Sequence, residues 1–261
     1  MSKIKKVTAV LLSVIMLVCM FSVPAGAASY KAGDTFEYKD FSCKVLDDGT
    51  VRISKYNNEK ATKVTVPASI KGMKVTEIRG IAFKGKTSLK TVILKEGLEK
   101  IGENAFSRSG IQSITIPKSV KTIDQYAFWL CKSLKTVTIK NGLESIGGAA
   151  FMGCESLKSI SIPKTVKTIG GAAFANCVSL KTVKLKNGLE SIEFNAFLDC
   201  SSLKSITIPK SVTVIGENAL GYNSNLDTMS YEKKSDFKVY GKKGSAAETY
   251  AKENGFTFKV K

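Results

Sequence analysis

The sequence predicts an α/β solenoid, in which about eight rungs of ~23 residues stack along a parallel β-sheet and a cap closes each end. Three observations carry that expectation. The pair Ala-Phe recurs at 82–83, 105–106, 127–128, 150–151, 173–174 and 196–197, with Ala219-Leu220 as a seventh copy, in steps of 22 or 23 residues. Between successive pairs lies L-x-x-[IV]-x-[IL], as in LKTVIL from Leu89, LKTVTI from Leu134 and LKSITI from Leu203, with a weaker LDTMSY from Leu226 and a longer first copy, ATKVTV, from Ala61. A second period of 46 alternates IPKSVKTI-like segments at Ile116, Ile162 and Ile208 with GLEKI or GLESI at Gly97, Gly142 and Gly188. A unit this short cannot bury its own apolar face, so like units must stack and align Leu on Leu and Phe on Phe. At roughly 4.8 Å per rung the stack should be about 35–40 Å long.

In chain order, residues 1–27 read as a secretory signal peptide: Lys3, Lys5 and Lys6 precede an apolar run, and Ala25-Gly26-Ala27 supplies small residues for cleavage. Val18 before Cys19 is a poor match to a lipid-attachment site. Residues 28–60 should form an N-terminal hairpin cap, because two alternating segments flank Asp48-Gly49. The solenoid follows over 61–231. A strand–helix–strand cap is expected over 232–261, with Ser245 and Glu248 as a capping box, Gly255 as the stop, and Phe256, Phe258 and Val260 on one side of the last strand.

Composition excludes several chemistries. The chain has no histidine, which removes Ser-His-Asp and Cys-His catalysis and histidine metal sites. Its formal charge is +18, or +15 without the first 27 residues, carried by lysine with only Arg52, Arg79 and Arg108 as arginines. Lysine-rich charge favours diffuse attraction to polyanions over base or phosphate clamping, so no nucleic-acid partner is expected. Gly80–Thr87 satisfies the phosphate-loop spacing G-x-x-x-x-G-K-[ST], but a strand rather than a helix should follow it, and Ala82-Phe83 occupy core columns; the match is coincidental.

Cys131, Cys154, Cys177 and Cys200 fall three residues after each Phe. Stacked equivalents sit at about the rung spacing, slightly beyond the roughly 3.5–4.5 Å Cβ separation of a disulfide, which favours buried thiols over two bridges. A line of sulfurs also does not converge on one metal, so no metal site and no cofactor are expected. Cys43 shares the phase of Phe41 and Val45 and reads as a buried small apolar residue. Glu99, Lys121, Glu144, Lys167 and Glu190 alternate in sign along one column and should pair across rungs. Trp129, in a column with Met152 and Leu198, marks either an apolar contact patch or the rim of the core.

The candidate ligand-binding face lies between the apolar positions of the strands. Thr91, Thr136, Ser159, Thr182 and Ser205, together with Ser113 and Thr228, put a hydroxyl in every copy. Beside them run Lys90, Lys135, Lys158, Lys181 and Lys204, interrupted by Gln112 and ended by Asp227. A second file, Lys95, Lys118, Lys140, Lys164, Lys186, Lys210 and Lys233, follows the strands. The simpler reading makes the hydroxyls a β-favouring, hydrogen-bonding ladder and the lysines solvated solubilising files.

The recurring L-x-x-[IV]-x-[IL]-P, [VL]-x-x-I-G, A-F and C-x-S-L segments resemble the BspA-type leucine-rich repeats of bacterial surface proteins, over about residues 61–231. The resemblance implies an exported, non-catalytic adhesion or interaction module, secreted or at the cell surface, that holds an extracellular protein or glycan; the lysine files add that an acidic partner would suit it. The alternative keeps the fold and attaches the chain by lysine charge to anionic wall polymers. Contact with a membrane is then expected only through the leader before cleavage.

Overall fold

A computed structural model describes residues 29–225 and 227–261; the leader expected over 1–27 lies outside them. Within each coil the first strand is written by the repeat itself. β-Branched residues at alternate positions favour an extended chain, and the period of two sends Ile114 and Ile116 inward while Ser113 and Thr115 face out. Successive strands pair in parallel and in register, for example Ser113 with Thr136 and Ile116 with Ile139. The face is built from Lys63–Val66, Thr91–Leu94, Ser113–Ile116 and Thr136–Ile139, then Ser159–Ile162, Thr182–Leu185, Ser205–Thr207, Lys238–Gly241 and Thr257–Val260. Among the described residues these nine strands replace the eight rungs read from the repeat.

The 46-residue period has a physical basis in this sheet. Strands in Lys63–Val66 and Thr91–Leu94 pair at four positions, and so do those in 113–116 and 136–139, and in 159–162 and 182–185. The intervening junctions keep one pair or none: Thr91 with Ser113, Lys184 with Thr207, and no ladder between Thr136–Ile139 and Ser159–Ile162. At the well-paired junctions the residue after the strand donates back to the previous coil, as Lys95 N–H does to Val66 O, Lys140 N–H to Ile116 O and Lys186 N–H to Ile162 O. Pro117, Pro163 and Pro209 occupy that position in the alternate coils and have no N–H to give. Proline therefore loosens every second junction.

A second ladder escaped the sequence reading. Lys100–Ile101, Thr122–Ile123, Ser145–Ile146, Thr168–Ile169, Ser191–Ile192 and Val214–Ile215 stack in parallel and extend the sheet that starts with the N-terminal strands. Two residues per coil are too short to show an alternating pattern, although the recurrent x-I-G marks them. The alternating column runs along this ladder, with Lys121 Nζ 3.2 Å from Glu144 and Lys167 Nζ 2.6 Å from Glu190. Both pairs are exposed and are worth a few tenths of a kcal/mol.

The Ala-Phe pair closes the coil on the turn side. Each Phe N–H donates to the Ala carbonyl of the next coil, at 2.7–2.9 Å from Phe83→Ala105 through Phe197→Ala219. Stacked this way, the rings of Phe83, Phe106, Phe128, Phe151, Phe174 and Phe197 form one interior file with centroids 4.9–5.3 Å apart and planes within 15°. Tyr56 continues it at one end, 5.1 Å from Phe83. Leu220 is buried at the other end.

The turn forces the residue before each Ala into the left-handed region: Ile81, Asn104, Tyr126, Ala149, Ala172, Asn195 and Asn218 all have φ between 51° and 65°. Asn tolerates this conformation, whereas β-branched Ile81 does not, and its side chain is 58% exposed. Ile81→Asn is expected to stabilise the protein by about 1 kcal/mol. The check is a urea midpoint that rises with an unchanged slope.

The caps differ from expectation in detail. Phe41–Val45 and Val51–Tyr56 form the N-terminal hairpin, with Thr35–Tyr38 added outside it, and the second hairpin strand pairs in parallel with Met73–Ile78. At the other end residues 227–231 of the LDTMSY segment do not form a solenoid strand. The Asn225 side-chain oxygen accepts from the N–H groups of Asp227 and Thr228 and turns the chain into the antiparallel hairpin Tyr222–Asn225/Ser230–Lys233. Lys238–Gly241 takes the vacated place beside Ser205–Thr207. The helix Ala246–Glu253 forms, but Ser245 makes no side-chain cap; its Oγ donates to Lys242 O, while Glu248 accepts from Gly244 N–H. Phe256 is buried, yet Val260 is 67% exposed because its strand is the last of the sheet. Among the described residues this is the one helix, so the α component is confined to the cap and the solenoid itself is β.

Candidate functional site

The face sheet presents two columns of outward side chains. One holds Thr91, Ser113, Thr136, Ser159, Thr182 and Ser205, of which all but half-buried Thr91 are exposed. The second, two residues on, holds Thr65, Ile93, Thr115, Thr138, Ser161, Lys184 and Thr207. Sequence reading identified the first column and missed Thr115, Thr138, Ser161 and Thr207, although the same period-two argument assigns them. Together they make a polar floor two hydroxyls wide except at Ile93 and Lys184, with neighbours about 4.8 Å apart across coils and about 6.7 Å along each strand. Thr91, Ile93, Ser113, Thr115, Thr136 and Thr138 line a shallow groove of about 260 Å³ in it. Thr228 does not belong to the floor, since it lies in the turn of the C-terminal hairpin.

Lysines rail the floor on both sides. Lys90, Lys135, Lys158, Lys181 and Lys204 precede the first column and are exposed. Lys204 pairs with Asp236 at 3.3 Å, and Lys90 Nζ donates to Thr87 O at 2.8 Å. Lys135, Lys158 and Lys181 make no ion pair with the described residues. On the far side Lys95, Lys118, Lys164, Lys186 and Lys210 are exposed, and Lys140 pairs with Glu96 at 3.4 Å. Lys164, Lys186, Ile139, Asn141, Ser161 and Pro163 surround a second depression of about 300 Å³ at the junction that Pro163 loosens. Lys233 leaves this file: it lies in the C-terminal hairpin and donates to Gly255 O at 3.4 Å. The two rails are about five residues, or roughly 16 Å, apart along the strand direction.

The remaining candidate chemistry is spent on the core. Cys131, Cys154, Cys177 and Cys200 are buried and unbridged, and each thiol donates to the Phe carbonyl one coil back: Phe106, Phe128, Phe151 and Phe174, at 3.0–3.3 Å. Each of these carbonyls also accepts the N–H three residues on, so the thiol fills its second lone pair. Burial pushes Cys131 up to about 11 and Cys200 to about 12, and holds Cys154 and Cys177 well above the ordinary thiol value. Such thiols are poor nucleophiles at neutral pH. Cys43 is likewise buried and pushed up to about 11, mainly by burial.

Lys86, from the phosphate-loop spacing, stands in this cysteine column, where it is buried and ion-paired with Glu59. Its loop runs into the strand Thr91–Leu94, which leaves no helix N-terminus for a phosphate. No group of three His, Cys, Asp or Glu side chains able to hold a metal occurs among the described residues. Nor is any helix among them long and apolar enough to cross a membrane. Trp129 is half-buried, edge-on to Tyr126 at 6.1 Å and capped by the Arg108 guanidinium at 4.6 Å, while Leu198 of the same column is buried. That column is the rim of the core.

A parallel-sheet solenoid of ~23-residue coils, with an open polar face and thiols turned inward, is a leucine-rich repeat architecture. The BspA type leucine rich repeat region matches residues 50–155 and 144–241 in six copies, and the chain belongs to that family. Among solved structures, a leucine-rich repeat protein of T. pallidum superposes with a TM-score of 0.63 at 24% identity, over 87% of this chain and 98% of that one. One from Bacteroides ovatus gives 0.64 at 30% identity over 80% of this chain, which spans 56% of that protein. A leucine rich cell surface protein of Faecalibacterium prausnitzii gives 0.50 at 22% identity, over 83% of this chain and 66% of that one. No curated protein matches the chain.

Proposed function

We propose that this protein is an exported, non-catalytic binding module that holds an acidic extracellular protein or glycan on its face sheet. The observation that carries the reading is the two-hydroxyl floor between two lysine rails, with Lys135, Lys158 and Lys181 unpaired against the described residues. Hydroxyls supply short, orientable hydrogen bonds, and the rails attract carboxylate, sulfate or phosphate groups along an extended ligand. Membership of a family of surface repeat proteins and the similarity to a protein described as a cell surface protein support a place outside the cell. The lack of histidine and the upward-shifted thiols support a role without catalysis.

The test compares the protein with a variant carrying Lys→Gln at 90, 135, 158, 181 and 204 in a screen against glycans, matrix proteins and wall polymers. The reading expects at least a tenfold loss of affinity with an unchanged circular dichroism spectrum. Equal binding by both proteins removes the near rail from the site.

A second reading, attachment to anionic wall polymers by charge alone, is favoured by the far rail, where Lys118, Lys164, Lys186 and Lys210 likewise make no ion pair with the described residues. The two readings separate on salt. At about 0.5 M the Debye length shrinks to roughly 4 Å, so diffuse attachment is lost, whereas a ligand seated on the hydroxyls keeps part of its affinity.

A further inference from the structure

The chain uses arginine three times, and two of the three line one cavity. Arg52 lies on the hairpin strand Val51–Tyr56 and Arg79 follows the strand Met73–Ile78; these strands are adjacent and parallel, with Arg52 opposite Glu77. Arg79 is two residues beyond Glu77, so the two arginines face the same way as diagonal neighbours, about 8 Å apart at the backbone. Lys44 is the partner of Arg52 on the other side, and the hydroxyls of Ser42 and Ser54 complete the outward row. The open depression they line is about 520 Å³, enough for a monosaccharide-sized group.

The surroundings leave the positive groups under-used. Arg52 meets Glu77 only at 3.8 Å, and its buried Nε has no hydrogen-bond partner. Arg79 and Lys44 make no side-chain bond with the described residues. Glu37 also lines the cavity, but it accepts from Asn57 Nδ2 at 3.2 Å. The pairings on both sides of the Arg52 strand are irregular, with register shifts at Ser42/Cys43 and at Val51/Arg52. Irregularities of this kind bend a strand and re-aim its side chains, and these two flank the strand that carries Arg52. Guanidinium forks match the planar oxygen pairs of carboxylates and phosphates, which single lysines do not.

We propose that the outward face of the N-terminal hairpin is an oxyanion site, in which Arg52 and Arg79 grip a carboxylate or phosphate with help from Lys44, Ser42 and Ser54. It is separate from the lysine-railed face and stands or falls independently of it.

With only three arginines, the side-chain Nε–Hε resonances of 15N-labelled protein report on the site almost in isolation. Titration with inorganic phosphate and with glucuronate, at constant ionic strength, should move the Arg52 and Arg79 signals along saturable curves and leave Arg108 in place. Response to phosphate alone points to phosphate esters, and response to glucuronate alone to acidic sugars. Arg52→Gln should weaken the Arg79 response at least tenfold, and Arg79→Gln should do the same to Arg52, with the backbone amide spectrum retained. Three signals that drift together without saturation, no response to either anion, or an Arg79 response unchanged in Arg52→Gln would overturn the assignment.

Discussion

Phe151→Ala is expected to destabilise the protein by about 3–5 kcal/mol, the range for emptying a fully buried aromatic site. Phe151 has no exposed surface and lies between Phe128 at 4.9 Å and Phe174 at 5.2 Å. Its carbonyl also holds the Cys177 thiol, so collapse around the void has to disturb two coils at once. For a chain of this size the loss corresponds to roughly 6–20 °C in melting temperature. Phe194 supplies the contrast, because it lies outside the file and is 58% exposed. Phe194→Ala should cost about 1 kcal/mol or less. Calorimetry of both variants checks the pair, and equal losses would mean that the aromatic file is not the core.

The second large effect is on alkaline stability. The four solenoid thiols remain protonated in the fold well above the value of 9.0 at which they ionise when free. Their shifts are upward, so the stability they contribute is complete below pH 9 and drains away as pH rises, because the unfolded chain then releases protons that the folded chain retains. By pH 10 each thiol has lost on the order of 1 kcal/mol, and the four together several kcal/mol. Buried Tyr250, pushed up mainly by burial, acts in the same direction at higher pH. Urea unfolding between pH 8 and pH 10.5 should show this decline, and Cys154→Ala/Cys177→Ala should show about half of the thiol contribution. A decline as steep in that double variant would place its origin elsewhere.

How much of this was legible in the sequence follows from how long each signal is. The Phe file, the strand register and the alternating Glu and Lys column each recur over many coils, and repetition multiplies a weak pattern into a firm one. The short ladder through Ile101 and Ile123 gave only two residues per coil. Its inward Ile was visible, but its pairing was not. The prolines were visible too, yet their effect on alternate junctions emerges only when Pro117 is seen to stand where Lys95 and Lys140 donate an N–H.

At the C-terminal end the repeat pattern misled. Leu226 to Tyr231 keeps the hydrophobic spacing loosely, but Asn225 offers the backbone a local side-chain partner, and the turn wins over the ladder. Of the candidate site, the first hydroxyl column and the lysine rails could be read directly. The second column was overlooked, and Thr228 and Lys233 were placed on a strand that is not there. The arginine cavity lies beside register shifts on both sides of the strand Val51–Tyr56, which no sequence pattern marks.

If the coils stack at a constant rise beneath the face sheet, a distance measured across that sheet shows it most directly. Spin labels on cysteines introduced at Thr91 and Ser205 lie five coils apart, and the native thiols of the file are too buried to compete for label. At about 4.8 Å per coil the backbone separation should be about 24 Å, with one narrow distribution, and moving the second label from Ser205 to Ser159 should shorten it by about 10 Å. A broad distribution, a mean beyond about 40 Å, or no change between the two pairs would contradict the stacked solenoid and the face built on it.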